Sequence, residues 1–247
     1  MKTVMITGCS SGFGLDTARY FFARDWNVVA TMRTLREDVL PPSGRLRVVA
    51  LDVTKPDSIR HAVESAGPID VLVNNAGVGW MNALEGTPMD VAREIFETNT
   101  FGAMAMIQAV LPQLRLRQSG VIVNVSSSVT LKPLPLLSVY TASKAALNAF
   151  TESLALELEP FHVRVRIVLP GRAPETPFAA TARARTRAGF PDAYTAWAQR
   201  VLAAFQKESS SVTRSLDVSE AVWLAATDPS SPMRIPAGAD AVALARG

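Results

Sequence analysis

The chain has 247 residues, 48% hydrophobic and 19% charged, with 25 Lys and Arg against 22 Asp and Glu for a formal net charge of +3. That balance supports a sizeable core and excludes a chain kept open by self-repulsion. One cysteine, Cys9, excludes an internal disulfide framework, and two widely separated histidines, His61 and His162, make a zinc site unexpected.

From the N-terminus, Val4-Met5-Ile6 reads as a first strand, too short for a signal-peptide core. It turns at Gly8 into a helix pattern with Leu15, Ala18 and Phe22 at i, i+3 and i+7. Further strands are expected at Val28–Thr31, Val48–Leu51, Val71–Val73, Val121–Val125 and Val163–Val168, most of them continuously apolar as parallel strands buried on both faces should be. A second clear helix pattern carries Leu147, Phe150, Leu154 and Leu158. Alternating β and α units imply an α/β fold with a doubly wound parallel sheet. No linker interrupts it, so a single domain is expected over 1–247. The regularity fails at about 172–215, where a stretch rich in Ala, Thr and Arg carries Phe178, Phe190, Tyr194, Trp197 and Phe205. That stretch is expected to be a helical lid inserted before the last βα unit. No run approaches the roughly 18 apolar residues of a membrane span, and a cytoplasmic protein is expected. Arginines Arg183, Arg185 and Arg187 are diluted by Ala and Thr, which fits a solvated helix face better than a nucleic-acid stripe.

The first strand runs into Thr7-Gly8-Cys9-Ser10-Ser11-Gly12-Phe13-Gly14. Gly8 suits a tight turn, Gly12 close approach of a diphosphate, and Gly14 close packing of helix on strand, with helix N–H groups facing the phosphates. The spacing is G-x3-G-x-G, not the general G-x-G-x-x-G. Cys9 reads as a small filler. The second strand ends Ala30-Thr31-Met32-Arg33 where an acid would hold a ribose 2′-hydroxyl. Arg33, with help from Arg36, can instead pair with a 2′-phosphate, so NADP is the expected cofactor.

Tyr140 and Lys144 stand four apart on one helix face. A lysine cation about 4 Å from a phenol is worth roughly 4 kcal/mol at an effective dielectric near 20, which is expected to lower the tyrosine pKa toward neutrality for acid–base work. Ser126, Ser127 and Ser128 follow the Val121–Val125 strand at its carboxyl end, and each has a hydroxyl able to hold a substrate carbonyl oxygen.

Taken together, these motifs resemble those of the short-chain dehydrogenase/reductase family, over essentially the full length. Thr7-Gly8 through Gly14 matches TGxxxGxG, Asn74-Asn75-Ala76-Gly77 matches NNAG, Tyr140-Thr141-Ala142-Ser143-Lys144 matches YxASK, and Pro170-Gly171 matches the step after the sixth strand. The resemblance implies a Rossmann-type fold, with Ser127 as the catalytic serine and Asn99 holding a water in a proton relay to Lys144. It implies Asp52 and neighbouring Val53 near adenine, Asn75, Ala76 and Gly77 beside the cofactor, and Lys144 on the nicotinamide ribose. Thr176 is displaced by one from the PGxxxT pattern, leaving its contact with the carboxamide open. With the lid and the Arg33 strand end, the chain looks closer to the NADP-linked 17β-hydroxysteroid and retinol dehydrogenase branch. The expected activity interconverts an alcohol with a ketone or aldehyde on a small apolar substrate. A 3-ketoacyl thioester reductase, or an NADP-binding redox sensor without turnover, are the alternatives. The family also implies a homodimer or homotetramer.

Overall fold

The computed structural model describes residues 1–36, 40–186, 189–207 and 212–246. Seven strands, β1 (Thr3–Ile6), β2 (Asn27–Met32), β3 (Leu46–Ala50), β4 (Val71–Asn74), β5 (Gly120–Val125), β6 (Val163–Pro170) and β7 (Arg234–Ala237), form one parallel sheet in the order β3-β2-β1-β4-β5-β6-β7. Strand order reverses between β1 and β4, and at such a switch point two neighbouring loops leave the sheet in opposite directions and open a crevice.

Helices cover both faces. On one side α1 (Gly12–Phe22) and α8 (Ser215–Thr227) pack together, and Phe21, Trp26 and Trp223 meet edge-on with centroids 5.1–5.8 Å apart. On the other, α2 (Pro56–Ala66), α4 (Gly102–Arg117) and α5 (Ser138–Leu158) bury Ile59, Ile107, Leu114 and Leu154 against Met5, Leu72 and Ile122. The helix α3 (Met89–Phe96) runs into α4 through a π-helical turn, Glu97–Phe101. Between β6 and α8 stand α6 (Pro177–Arg185) and α7 (Asp192–Lys207); the chain closes with α9 (Ala239–Arg246).

The strand expectations hold, with β7 added at the edge, where Pro236 costs no bond to a further strand. In α1 the fully buried aromatic is Phe21, while Phe22 is only partly covered. β6 alternates more than a doubly buried strand should, because Arg164 has a structural task. Its guanidinium donates to the carbonyls of Ala225, Ala226 and Asp228 at 3.2, 3.0 and 2.8 Å, placing a cation at the negative end of α8. Among the described residues, no helix is long and apolar enough to cross a membrane, and no group of three or more His, Cys, Asp or Glu side chains could hold a metal ion.

Candidate active site

The loop after β1 is stitched to the loop after β4 across the switch point. The Thr7 hydroxyl accepts from the backbone N–H groups of Asn75 and Ala76 at 3.0 and 2.9 Å. The Asn75 amide donates back to the carbonyls of Thr7 and Gly8 at 2.9 and 3.2 Å. A Cβ on Gly8 would lie 2.9 Å from the Ala76 Cα, and Gly8 holds φ +76°, so no other residue fits this approach without strain. A Cβ on Gly14 would collide with the Gly8 carbonyl, as expected of a glycine that lets the helix sit close to the strand. Ser11, at the start of α1, leaves its side chain out of capping, and the first turn carries no acid. A cleft of about 390 Å³ opens there, between Ser10, Ser11 and Gly12 on one wall and Glu175, Thr176 and Pro177 on the other. The residues fit a dinucleotide diphosphate: a backbone cradle that a Cβ would fill, at the positive end of a helix.

Arg33 follows β2 directly and is exposed, close enough to Asp52 for its charge to help lower the Asp52 pKa. Arg36 reaches the Ser10 carbonyl at 3.5 Å. Asp52 accepts from the Thr54 N–H and hydroxyl at 3.0 and 2.8 Å, while Val53 packs against Gly102 at the start of α4. Pro170 and Gly171 end β6, and the Gly171 N–H donates to the Thr213 hydroxyl at 2.9 Å. The Thr176 side chain lies over Gly12, where a Cβ on the glycine would be 3.4 Å from it.

Deeper in, α5 presents Tyr140 and Lys144 at 8% and 4% exposure against the carboxyl end of β5. The Lys144 ammonium donates to the Val125 carbonyl at 2.9 Å and lies beside Gly77, whose missing Cβ would be 3.5 Å from it. Of the three serines, Ser127 is the one whose side chain acts on the Tyr140 phenol, favouring its charged form. Ser126 turns to the Lys144 carbonyl at 3.4 Å. The π-helical turn delivers Asn99, whose amide accepts from the Val78 N–H at 2.8 Å and donates to the Val78 carbonyl and the Ser143 hydroxyl at 2.9 and 3.1 Å. Ser143 in turn donates to the Tyr140 carbonyl at 2.7 Å, so Asn99 is tied to the tyrosine through one side chain. Wide turns of this kind recur at functional sites. Ser143 was quoted in the YxASK match without a role, and only the fold shows that it bridges two helices.

The electrostatics correct one expectation. Burial pushes the Tyr140 pKa up to about 12, with the Ser127 hydrogen bond pulling the other way, and pushes Lys144 down to about 8. The anticipated lowering of Tyr140 by Lys144 is absent because desolvation of the phenolate dominates at a fully enclosed site. Cys9 is fully buried with its thiol raised to about 12, and it packs as a filler.

The α6–α7 region closes over this centre. The Phe178 ring lies 5.8 Å from the Tyr140 ring, centroid to centroid, and occupies the space left by Gly79. Arg185 pairs with Glu94 of α3 at 2.7 Å, and the Thr186 hydroxyl donates to the Met81 carbonyl at 3.2 Å. That pairing withdraws Arg185 from the arginine cluster, and Arg187 lies outside the described residues, as do 188 and 208–211 of the same stretch. Leu136 is buried against Ala198 of α7.

Residues 2–187 match the family profile described as short chain dehydrogenase. The chain belongs to the short-chain dehydrogenase/reductase family. It is 41% identical to human retinol dehydrogenase 8 over 182 residues, which span 69% of this chain and 58% of that protein. It is 37% identical to human 17-beta-hydroxysteroid dehydrogenase type 1 over 179 residues, covering 67% and 55%. The matches thus span under two thirds of the length of these relatives, and they bear out the resemblance to that branch. Among solved structures, a short-chain dehydrogenase from Streptomyces avermitilis aligns with TM-score 0.83 at 32% identity, over 100% of this chain and 91% of the other. A Burkholderia cenocepacia short chain dehydrogenase in complex with NADP aligns with TM-score 0.78 at 28% identity, over 100% and 94%. The doubly wound Rossmann-type fold follows for this short-chain dehydrogenase/reductase.

Proposed function

We propose that the protein is an NADP(H)-dependent carbonyl reductase, interconverting an alcohol and a ketone or aldehyde on a small apolar substrate. The observation that carries this reading is the buried Tyr140 and Lys144 on one face of α5, with Lys144 donating to the Val125 carbonyl at the carboxyl end of β5 and Ser127 acting on the Tyr140 phenol. Bound cofactor would supply the hydride. Thr7 through Gly14, Asn75, Ala76 and Gly77 would cradle it, with Pro170, Gly171 and Thr176 closing over the diphosphate end. Arg33 would meet the 2′-phosphate and Asp52 and Val53 the adenine. NADP is favoured over NAD by Arg33 at the end of β2 and by the NADP held in the Burkholderia relative.

Ser127 orients the substrate oxygen, and Tyr140 donates the proton to it. With its pKa pushed to about 12, the phenol keeps its proton at neutral pH and is present as the donor that reduction requires. Lys144, at about 8, is mostly cationic there, positioned to hold a ribose hydroxyl and to return a proton to the tyrosine. The Asn99 amide is already committed to Val78 and Ser143, so a relay water meets its backbone carbonyl. Phe178 and the α6–α7 lid exclude solvent from the reacting groups. We further infer a homodimer or homotetramer paired through α4 and α5, whose surfaces expose Leu116 and Leu156.

The test is a panel of ketones and aldehydes followed by loss of NADPH absorbance, with Tyr140→Phe in parallel. Turnover on apolar carbonyls that drops below a few per cent in the variant, with NADPH binding retained, is expected. Cofactor binding with no turnover on any carbonyl would leave the redox-sensor alternative standing.

A further inference from the structure

The floor of the site contains a second layer of polar side chains that the proposed reaction does not use. Thr130 lies in the short turn after β5, and its hydroxyl donates to the Ser127 carbonyl at 2.8 Å. A hydroxyl has a single proton, so this bond fixes Thr130 as an acceptor toward its other neighbour. That neighbour is the Asn148 amide, which donates to it at 3.0 Å. Asn148 is 4% exposed, and its Oδ1 has no hydrogen-bond partner. Burying an amide with one end unmet carries a cost that a leucine of similar size would avoid. The retained bond therefore has to be the reason for the residue, and it leads through Thr130 to Ser127.

The placement along α5 gives that bond its meaning. Tyr140, Lys144 and Asn148 follow at intervals of four and share one helix face. Each of the last two turns grips the end of β5 or the segment after it: Lys144 holds the Val125 carbonyl, its own carbonyl accepts from Ser126, and Asn148 holds Thr130. The helix that carries the proton donor thus also carries the strut that locates the substrate-orienting serine. We propose that Asn148 and Thr130 are positioning residues that set the Ser127 hydroxyl against the Tyr140 phenol. The proposal rests on the carbonyl reductase reading of that site.

Thr130→Val removes the hydroxyl at nearly constant shape, and Thr130→Ser keeps it. For Thr130→Val, kcat should fall about five- to tenfold, the scale of one lost hydrogen bond transmitted to the transition state, with KM for NADPH unchanged within about twofold. Thr130→Ser should retain about half or more of the wild-type kcat, and Asn148→Leu should follow Thr130→Val. In a Ser127→Ala background Thr130→Val should have no further effect, since the group it positions is gone. A silent Thr130→Val, a loss shared equally by Thr130→Ser, a KM for NADPH that rises with the fall in kcat, or an undiminished effect in the Ser127→Ala background overturns the proposal. The underlying reading fails separately: Tyr140→Phe then retains turnover, whereas an inactive Tyr140→Phe with a silent Thr130→Val removes the strut alone.

Discussion

Lys144 should be a residue whose removal stabilises the fold while ending the chemistry. Its ammonium is 4% exposed, and burial lowers its pKa from 10.5 to about 8. At about 1.4 kcal/mol per unit, the native state bears a penalty of roughly 3 kcal/mol for holding the charge below the folded pKa. Lys144→Met replaces the charged stem with an apolar one of similar length. The substitution also forfeits the 2.9 Å bond to the Val125 carbonyl, worth about 1–2 kcal/mol at a buried acceptor. The net gain should be about 1–2 kcal/mol near neutral pH, or roughly 3–6 °C in Tm for a chain of this size.

The pH dependence has a defined sign. Between the folded pKa of about 8 and the unfolded value of 10.5, the unfolded chain binds more protons than the native one, so wild-type stability rises with pH. By about pH 9.5 the penalty shrinks to roughly 1.4 kcal/mol, and the advantage of the variant should all but vanish. Urea and thermal unfolding of both proteins at about pH 7 and about pH 9.5 measures this, alongside NADPH turnover, which the variant should lack. A variant less stable than wild type at the lower pH, or a gain equal at both, would refute the argument that the lysine is held there against its own solvation.

Arg33→Asp should erase or reverse the preference for NADPH over NADH, because a charge-assisted contact of about 1.5–3 kcal/mol corresponds to about 10- to 150-fold; kcat/KM for both cofactors in both proteins decides it, and an unchanged ratio removes Arg33 from the site. Phe178→Ala should cost small apolar ketones about five- to tenfold in kcat/KM through the lost aromatic contact while sparing bulky ones; equal losses across a size series would show that the ring does not line the substrate space.

The strands were legible because β1, β2, β4 and β5 are apolar runs of the length a doubly covered sheet needs, and their parallel order follows from the helices between them. β7 was not legible as a strand: Arg234-Ile235-Pro236-Ala237 has neither a continuous apolar run nor alternation, and its place on the edge is set by β6. The glycine loop and the Tyr140–Lys144 spacing are local features, readable where they stand. The Tyr140 pKa was misread for the opposite reason, since a spacing of four places a lysine on the same face but says nothing of how completely tertiary packing desolvates both groups. Thr130 and Asn148 gave no signal at all, and Ser143 only its place in a motif. Their contacts cross from one element to another, and polar residues in a helix or turn look like surface until the partner element is known.

The wide turn at Glu97–Phe101 makes the active site and the core hostage to the same residue count. Met89 to Arg117 is one uninterrupted helical rod, and each α-helical residue advances it by about 100°. Deleting one residue between Gly102 and Met106 would swing the rest of the rod by about that angle. Met106, Ile107, Val110 and Leu114 would then point away from the sheet. Length changes in this α-helical part of the rod should therefore be lethal to folding even where every side chain is conserved in type. The same insertion or deletion placed after α4, between Gln118 and Ser119, would leave the phase of the rod untouched.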